Sequence, residues 1–324
     1  MDSSGDDPTA ATLAWLCSSD EPAVRYLTRR DVLGDRNGAA SAADAAQLLE
    51  GPKARALLAG QQPDGGFGVH PYRKWTGAHW RLVSLVELAA PAGEPRLQAA
   101  ALTVLDWLAG DAHRRTVTVV NGLTRRCASQ EGNALAVACR LGMADDPRVE
   151  LLAHSLVDWQ WPDGGWNCDL RASGRRSSFH ESLPPTWGLH EYWLATGATW
   201  AREAAAQAAE LFLSHRLFRS VHDGEVIDRR WLALHYPPYW HYDVLQALLI
   251  LSRLGKAGDP RADEALELLI RRRRADGRWQ PSGYWWRPPG TGTGSGPVEV
   301  VDWGRSGPNE LLTLNALRVL KAAS

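Results

Sequence analysis

One four-residue frame occurs three times in this sequence, each time where a helical pattern gives way to a turn. The copies are Leu57, Gln61, Gly65 and Phe67; Leu156, Gln160, Gly164 and Trp166; and Leu269, Arg273, Gly277 and Trp279. The planar polar side chain can bond the free carbonyls of a helix end, and glycine suits the left-handed turn that follows. Because a recurring element is more typical of architecture than of a catalytic device, we interpret the frame as a fastener between structural elements.

Apolar residues recur with a period near 3.6 along the whole chain, and no alternating run predicts a strand. The predicted helices cover 9–17, 22–33, 41–61, 78–90, 95–109, 130–142, 147–159, 181–196, 199–216, 241–254, 260–274 and 308–322. Short connections alternate with long loops, and the second helices of the pairs start about 50 to 67 residues apart, as in repeat proteins. The pattern predicts an all-α fold in which residues 8–324 form one (α/α)6 toroid of six helical hairpins with the long loops at one end. Residues 1–7 are predicted to be disordered.

The composition of the chain limits the classes of molecule that it is expected to bind. The formal net charge is −1, so no basic face is expected for nucleic acid. No apolar run approaches the roughly 18 residues of a transmembrane helix, and the acidic N-terminus is unlike a signal peptide. The four cysteines, Cys17, Cys127, Cys139 and Cys168, are too scattered to predict a disulfide framework or a metal knuckle. We expect a cytoplasmic protein with a small-molecule substrate, and the oligomeric state is left open.

The repeated frame resembles the QW motif of squalene–hopene and oxidosqualene cyclases, and more loosely the Gly-Gly-Phe turns of protein prenyltransferase β subunits. The segments AVRYLTRRDVLG, KWTGAHWRLVSLVEL and SSFHESLPPTWGLHEYW also look like bacterial squalene-cyclase or prenyltransferase repeat proteins. The resemblance implies an α/α toroid with an inner and an outer ring of helices. It does not imply a reaction, because the chain lacks both the DxDD motif of class II cyclases and DDxxD.

In prenyltransferases an Asp-x-Cys pair and a histidine at the starts of inner helices hold zinc. This chain offers His241 and Asp243 at one such start and His180 at another, with no cysteine predicted at these places. The resemblance therefore implies that zinc or another divalent metal would need a rebuilt site of His241, Asp243 and His180. No cofactor is certain from the sequence.

Histidines open three predicted inner helices, at His79, His180 and His241. The helix dipole disfavours a protonated histidine there, so these positions suit neutral imidazoles that bind a metal or act as bases. With Asp243 and Glu131 they form the predicted catalytic set. Glu131 also has a structural interpretation, because acidic residues stabilise the first turn of a helix.

Further residues at the same end of the predicted ring are candidates for substrate binding, since aromatic faces can stabilise a cation or wall a cavity. They are Trp80, Arg81, Glu181, Tyr239, Trp240, Tyr242, Trp285 and Glu310. Glu181 also fits a capping box with Ser178, and Glu310 a first-turn acid. Glycines in the last loop, about 275–307, suggest a mobile lid.

These residues are compatible with three functions. The first is a terpenoid-cyclase-like enzyme, of cyclase, lyase or isomerase type, that uses acid–base or metal-assisted chemistry in the central cavity. The second is a non-catalytic toroid that binds a ligand or a protein. The third is zinc-dependent prenyl transfer or hydrolysis with a histidine and carboxylate metal site. The first predicts an open, aromatic-walled cavity with converging polar groups.

Overall fold

Helices dominate the computed structural model, which describes residues 8–292 and 296–324. The predicted disordered segment 1–7 lies outside these residues. Helix accounts for 53% and strand for 4%, which confirms the all-α prediction. The α-helices are α1 (Pro8–Cys17), α2 (Pro22–Leu27), α3 (Ala39–Ala45), α4 (Pro52–Leu58), α5 (Ala78–Glu87), α6 (Pro95–Ala109), α7 (Asp111–Arg114), α8 (Ser129–Arg140), α9 (Pro147–Trp159), α10 (Phe179–Thr196), α11 (Thr199–Ser214), α12 (Val244–Arg253), α13 (Asp263–Arg271) and α14 (Glu310–Ala323).

The structure departs from the predicted elements at three places. A π-helical segment, Thr28–Leu33, continues α2, and the predicted helix 41–61 divides into α3, a 3-10 turn at Leu48–Glu50, and α4. Pro52 causes this division because it lacks the N–H that a continuous helix needs. A short antiparallel hairpin of β1 (Thr118–Val120) and β2 (Leu123–Arg125) was not predicted, since three-residue strands are too short to show alternation.

Six helices, α2, α5, α8, α10, α12 and α14, are buried on most sides, and we call them the core helices. Every residue of α5 is buried, as expected for a helix that is enclosed by protein. The core helices pack in chain order, with α5 on α8, α8 on α10, α10 on α12, α12 on α14, and α14 on α2. Helices α6, α9 and α11 cover them. No helix in the described part of the chain combines the length and the apolarity needed to cross a bilayer.

Helices α8 and α10 approach so closely that two glycines are required. A Cβ on Gly132 of α8 would lie 2.3 Å from the backbone nitrogen of Pro185, and one on Gly188 of α10 would lie 2.4 Å from the carbonyl oxygen of Gly132. Both obstacles are backbone atoms, which cannot rotate away. This contact fixes the distance between two neighbouring core helices.

The repeated frame is a fastener, as predicted. In its second copy the Gln160 amide donates to the carbonyls of Gly164 and Ala204, at 2.7 and 2.9 Å, and Trp166 Nε1 donates to the carbonyl of Leu156 at 2.8 Å. The turn thereby closes the end of α9 and attaches it to α11. A Cβ on Gly164, whose φ is +93°, would also strike the backbone of α11.

The other two copies make the equivalent connections. Gln61 donates to the carbonyls of Gly65 and Arg96, which attaches the end of α4 to α6. Arg273 donates to the carbonyl of Gly277 and to Thr9 Oγ1, at 3.1 and 3.0 Å. The third copy therefore attaches α13 to α1, near the opposite end of the chain.

Replacement of Gly132 by alanine should destabilise the protein by about 3 kcal/mol, because an added methyl group would force α8 and α10 apart. Urea unfolding followed by circular dichroism measures the change. Gly258→Ala is the matched control, since its Cβ would have no neighbour closer than 4.0 Å. Equal stability of Gly132→Ala and the wild type would contradict the close contact.

Candidate functional site

A narrow internal cavity of about 30 Å³ lies between α5, α8, α10, α12 and the loop 234–243. Most of its wall is apolar or aromatic, formed by Leu183, Pro184, Trp187, Pro238, Tyr239, Trp240, Leu249 and Ile250. The polar lining residues are Glu87, Asn133, His241, Gln246 and Arg253. Such a mixture of apolar walls with a few polar groups is typical of the lining of small-molecule sites.

Six buried polar atoms of lining residues have no hydrogen-bond partner among the described residues. They are Glu87 Oε1, Asn133 Nδ2, Tyr239 Oη, Trp240 Nε1, His241 Nδ1 and Arg253 Nε. Buried polar groups in folded proteins are almost always paired, and each unpaired group costs roughly 1–3 kcal/mol. Their concentration around one cavity marks it as the candidate site.

Charged side chains cross-link the core helices at one end of the cavity. Arg253 of α12 donates to Glu87 of α5 at 2.6 Å. Arg140 of α8 donates to Glu191 of α10 at 2.7 Å. Arg318 of α14 lies 2.9 Å from Asp31, in the π-helical continuation of α2. Three ion pairs thus connect all six core helices, and each core helix contributes near its C-terminal end.

Two of these pairs keep their carboxylates, Glu87 and Asp31, ionised. Burial by itself would raise the pKa of Glu87, but the charge of Arg253 and its hydrogen bond hold that pKa below the ordinary value. Burial likewise opposes the ionisation of Asp31, whose pKa its arginine partners Arg30 and Arg318 lower. Glu87 is therefore a carboxylate at neutral pH, with one oxygen on Arg253 and the other without a hydrogen-bond partner among the described residues.

His241 lies at the opposite end of the cavity. Its ring is stacked between Trp240, at 3.9 Å, and Trp285, at 4.1 Å. Burial lowers the pKa of His241 to about 2, so the imidazole is neutral. His241 also lines an outer groove of about 610 Å³, together with Lys74, Arg287 and other residues of the last loop. It therefore separates the internal cavity from a groove with a basic rim.

The structure brings several predicted residues together here. His241, Tyr239 and Trp240 line the cavity, and Trp285 lines the groove. The His180 ring lies 6.4 Å from that of His241, and His180 Nδ1 accepts the backbone N–H of Tyr242 at 2.8 Å. Burial lowers the pKa of His180 to about 4. The mobility of the loop 275–307 stays a prediction, and its residues 293–295 lie outside the described ones.

Asp243 has a structural role instead of the predicted catalytic and metal-binding one. Its Oδ1 accepts the N–H of Gln246, which caps α12, and its Oδ2 accepts the N–H of His235, both at 2.8 Å. The His235 ring nitrogen Nδ1 lies 2.5 Å from the same carboxylate. The ligand atoms of His180, His241 and Asp243 do not come together as a metal-binding group among the described residues, so the predicted metal set is not assembled.

His79 faces away from the cavity. It lies between α5, α6 and α8 in a small apolar pocket with Leu82, Val104 and Ala134. Burial lowers its pKa to about 3. Its helix-start position suggested a site residue, but its side chain points into the packing between core and cover helices.

Three predicted substrate-binding residues instead hold backbone segments together. Arg81 donates to the carbonyls of Leu57 and Ala59, at 2.8 and 3.1 Å, and thereby satisfies the end of α4. Trp80 Nε1 donates to a loop carbonyl at 3.2 Å, and the Tyr242 hydroxyl donates to a carbonyl at the end of α11 at 2.6 Å. All three side chains are buried.

The predicted acids also lie outside the cavity lining. Glu131 Oε1 accepts from Arg126 at 2.7 Å and lies 2.9 Å from His113 Nε2. Glu310 is the first residue of α14, which Asn309 caps. Glu181 Oε2 accepts the backbone N–H of Ser129 at 3.0 Å, so this carboxylate spans the starts of α8 and α10.

Glu181 also belongs to a group that was not predicted. The ligand atoms of Cys127, Cys168 and Glu181 all lie within 4.8 Å of one another. Cys127 comes two residues before α8, which corrects the prediction that no cysteine lies at a core-helix start. The separation of 41 positions between the two cysteines concealed the pair, because the connection between them includes two helices.

The residues of the ion-pair network, which the sequence analysis missed, left one signal. Glu87, Arg140, Glu191, Arg253 and Arg318 are charged residues within largely apolar helical patterns, and Glu87 and Arg253 also line the cavity. A charged residue inside an otherwise apolar helix needs a partner when it is buried, so each such position pointed to an ion pair. The sequence did not show which residues pair.

Glu87→Gln should destabilise the protein by about 3–5 kcal/mol, because it leaves the mostly buried Arg253 without a counter-charge. Glu87→Gln/Arg253→Gln should recover part of this loss. The matched control is Glu267→Gln in the exposed pair with Arg271, where both side chains are more than 60% exposed and the expected change is about 0.5 kcal/mol. Similar losses in both single variants would contradict the buried network.

The effect of Glu87→Gln should depend on pH. Since the folded protein lowers the pKa of Glu87 below its ordinary value of 4.5, the stabilisation is complete above pH 4.5 and is lost as the pH falls through the folded-state pKa. Urea unfolding at pH 7 and at pH 3 should therefore show a smaller difference between wild type and variant at pH 3. A larger difference at pH 3 would contradict an ionised Glu87.

No protein-family model and no curated protein matches this chain. Among solved structures, a crystal structure of a protein from Actinoplanes is similar over 98% of this chain and 99% of that one. The sequence identity is 18% and the TM-score is 0.46.

Proposed function

We propose that this protein is an enzyme that binds a small, partly apolar molecule in the internal cavity and converts it by proton transfer. The observation that carries the proposal is the set of six unpaired polar atoms on an otherwise apolar and aromatic wall. An apolar skeleton would pack against Trp187 and Leu249, and an oxygen-bearing group would bond to Asn133 and Arg253. These are the features of a site that orients a small molecule.

The charge state of the wall favours isomerisation or elimination over cyclisation that begins with a proton donated by the protein. Glu87 is an ionised carboxylate with one free oxygen, so it can accept a proton. The pKa of both Glu87 and His241 is lowered, so both are weak bases, and the choice between them rests on charge: His241 is neutral, whereas Glu87 is an anion with one oxygen free of protein partners. We therefore assign the general base to Glu87 and a hydrogen-bonding role to His241.

We also infer that the core helices close into the (α/α)6 toroid, with the cavity at its centre. Five consecutive contacts between core helices support this arrangement. The bond from Arg273 to Thr9 supports it too, because it connects the end of α13, near the C-terminus, to α1, the first helix of the chain. In a toroid the basic-rimmed groove beside His241 becomes the entrance.

A cavity-filling variant tests the binding site. Small aliphatic and aromatic carboxylates, alcohols and ketones are first screened for compounds that raise the melting temperature of the wild type. Leu249→Trp should abolish the binding of these compounds, because the indole occupies the space that they need. Leu170→Trp is the control, since Leu170 is 65% exposed. Compounds that stabilise wild type and Leu249→Trp equally would contradict binding in the cavity.

Conversion of a bound compound tests the catalytic step. Glu87→Gln should bind the compound but convert it about 100-fold or more slowly, because the general base is lost. The product is measured by mass spectrometry. The assay temperature is one at which the variant still binds the compound, because binding shows that the variant is folded. Recovery of every bound compound unchanged from the wild type would contradict catalysis and favour a non-catalytic binding protein.

A further inference from the structure

We propose that Cys127, Cys168 and Glu181 bind a zinc ion, with a fourth coordination position left for water or a substrate atom. These residues are outside the cavity lining, so the proposal does not depend on the proposed function. Two thiolates and a carboxylate form a donor set that suits zinc, and three protein ligands with one open position are typical of catalytic zinc sites.

Backbone contacts hold the three ligand-bearing segments side by side. The N–H of Arg126 donates to the carbonyl of Asn167 at 3.0 Å, so the residues that precede the two cysteines are joined directly. The N–H of Ser178 donates to the carbonyl of Trp166 at 2.8 Å. This second bond ties the Cys168 segment to the start of α10, which carries Glu181.

The spacing of the ligand atoms fits a tetrahedral ion. Cys168 Sγ lies 3.8 Å from Glu181 Oε1, and all three ligand atoms are within 4.8 Å of one another. With Zn–S near 2.3 Å and Zn–O near 2.0 Å, tetrahedral geometry separates sulfur and oxygen by about 3.5 Å. The Cys168–Glu181 distance is therefore within a few tenths of an ångström of the tetrahedral value.

The surroundings orient and balance the ligands. The Ser129 N–H holds Glu181 Oε2, which leaves Oε1 directed at the thiols, as outer hydrogen bonds do in metal sites. Two thiolates and a carboxylate exceed the charge of a zinc ion by one, and Arg126 and Lys74 are cations close enough to act on Cys127. Both cysteines are half-buried, so an ion can reach them.

Metal binding by the full chain tests the proposal directly. Protein purified with reductant and without chelator should contain about one zinc ion per chain, as a three-ligand site requires. After removal of zinc, titration with Co²⁺ should give a thiolate-to-cobalt charge-transfer band in the near ultraviolet. Cys127→Ser and Cys168→Ser should each lose this band, and Glu181→Gln should weaken Co²⁺ binding.

Cys17→Ser is the matched control, because Cys17 is also half-buried but lies at the end of α1. It should bind Co²⁺ as the wild type does. The proposal is overturned if the wild type gives no thiolate band, if the band persists in Cys127→Ser, or if zinc-free protein contains a Cys127–Cys168 disulfide that excludes the metal. The Co²⁺ titration of the wild type tests whether the metal site exists even if a variant fails to fold.

Discussion

The pairing of buried charges is the constraint on which this structure most depends. Glu87, Arg253 and Arg318 lie near the ends of helices that are otherwise apolar and enclosed. A charge in such a place is very costly unless a partner of opposite sign is at hydrogen-bonding distance. Each ion pair joins two core helices, so the pairs fix how the helices are placed relative to one another. The internal cavity is bounded at one end by this network.

Because of this network, the two ends of the cavity differ in chemical character. At one end lies an ionised carboxylate beside an arginine, and at the other lies the neutral His241 between two indole rings. The aromatic end adjoins a groove with a basic rim, whereas the charged end is formed by the last turns of the core helices. A molecule that enters past His241 would meet apolar walls first and the Glu87–Arg253 pair last. This order suits a ligand with an apolar body and one polar group.

The thiol and carboxylate group at Cys127, Cys168 and Glu181 is a second candidate site, separate from the cavity, at the starts of α8 and α10. It arises from the connections that precede these helices, because the unpredicted hairpin β1–β2 and the fastener turn around Trp166 meet there. The turn that joins outer elements therefore also positions a candidate metal ligand. A structural repeat can thus gain a specific function at one of its copies.

The sequence by itself determined the helices, their pairing and the fasteners, because these depend on local periodicity, on turn residues such as Gly164, and on repetition. The sequence also identified His241, Tyr239 and Trp240 as site residues, because they belong to a loop that is rich in aromatic residues, and all three line the cavity. Only the tertiary structure decided which side chains face the cavity. His79 and Asp243 occupy the predicted helix starts, yet the His79 ring packs between helices and the Asp243 carboxylate caps α12. The partners of Glu87 and Cys127 lie 166 and 41 residues away, and no local pattern encodes such contacts, because they form only when distant helices pack together.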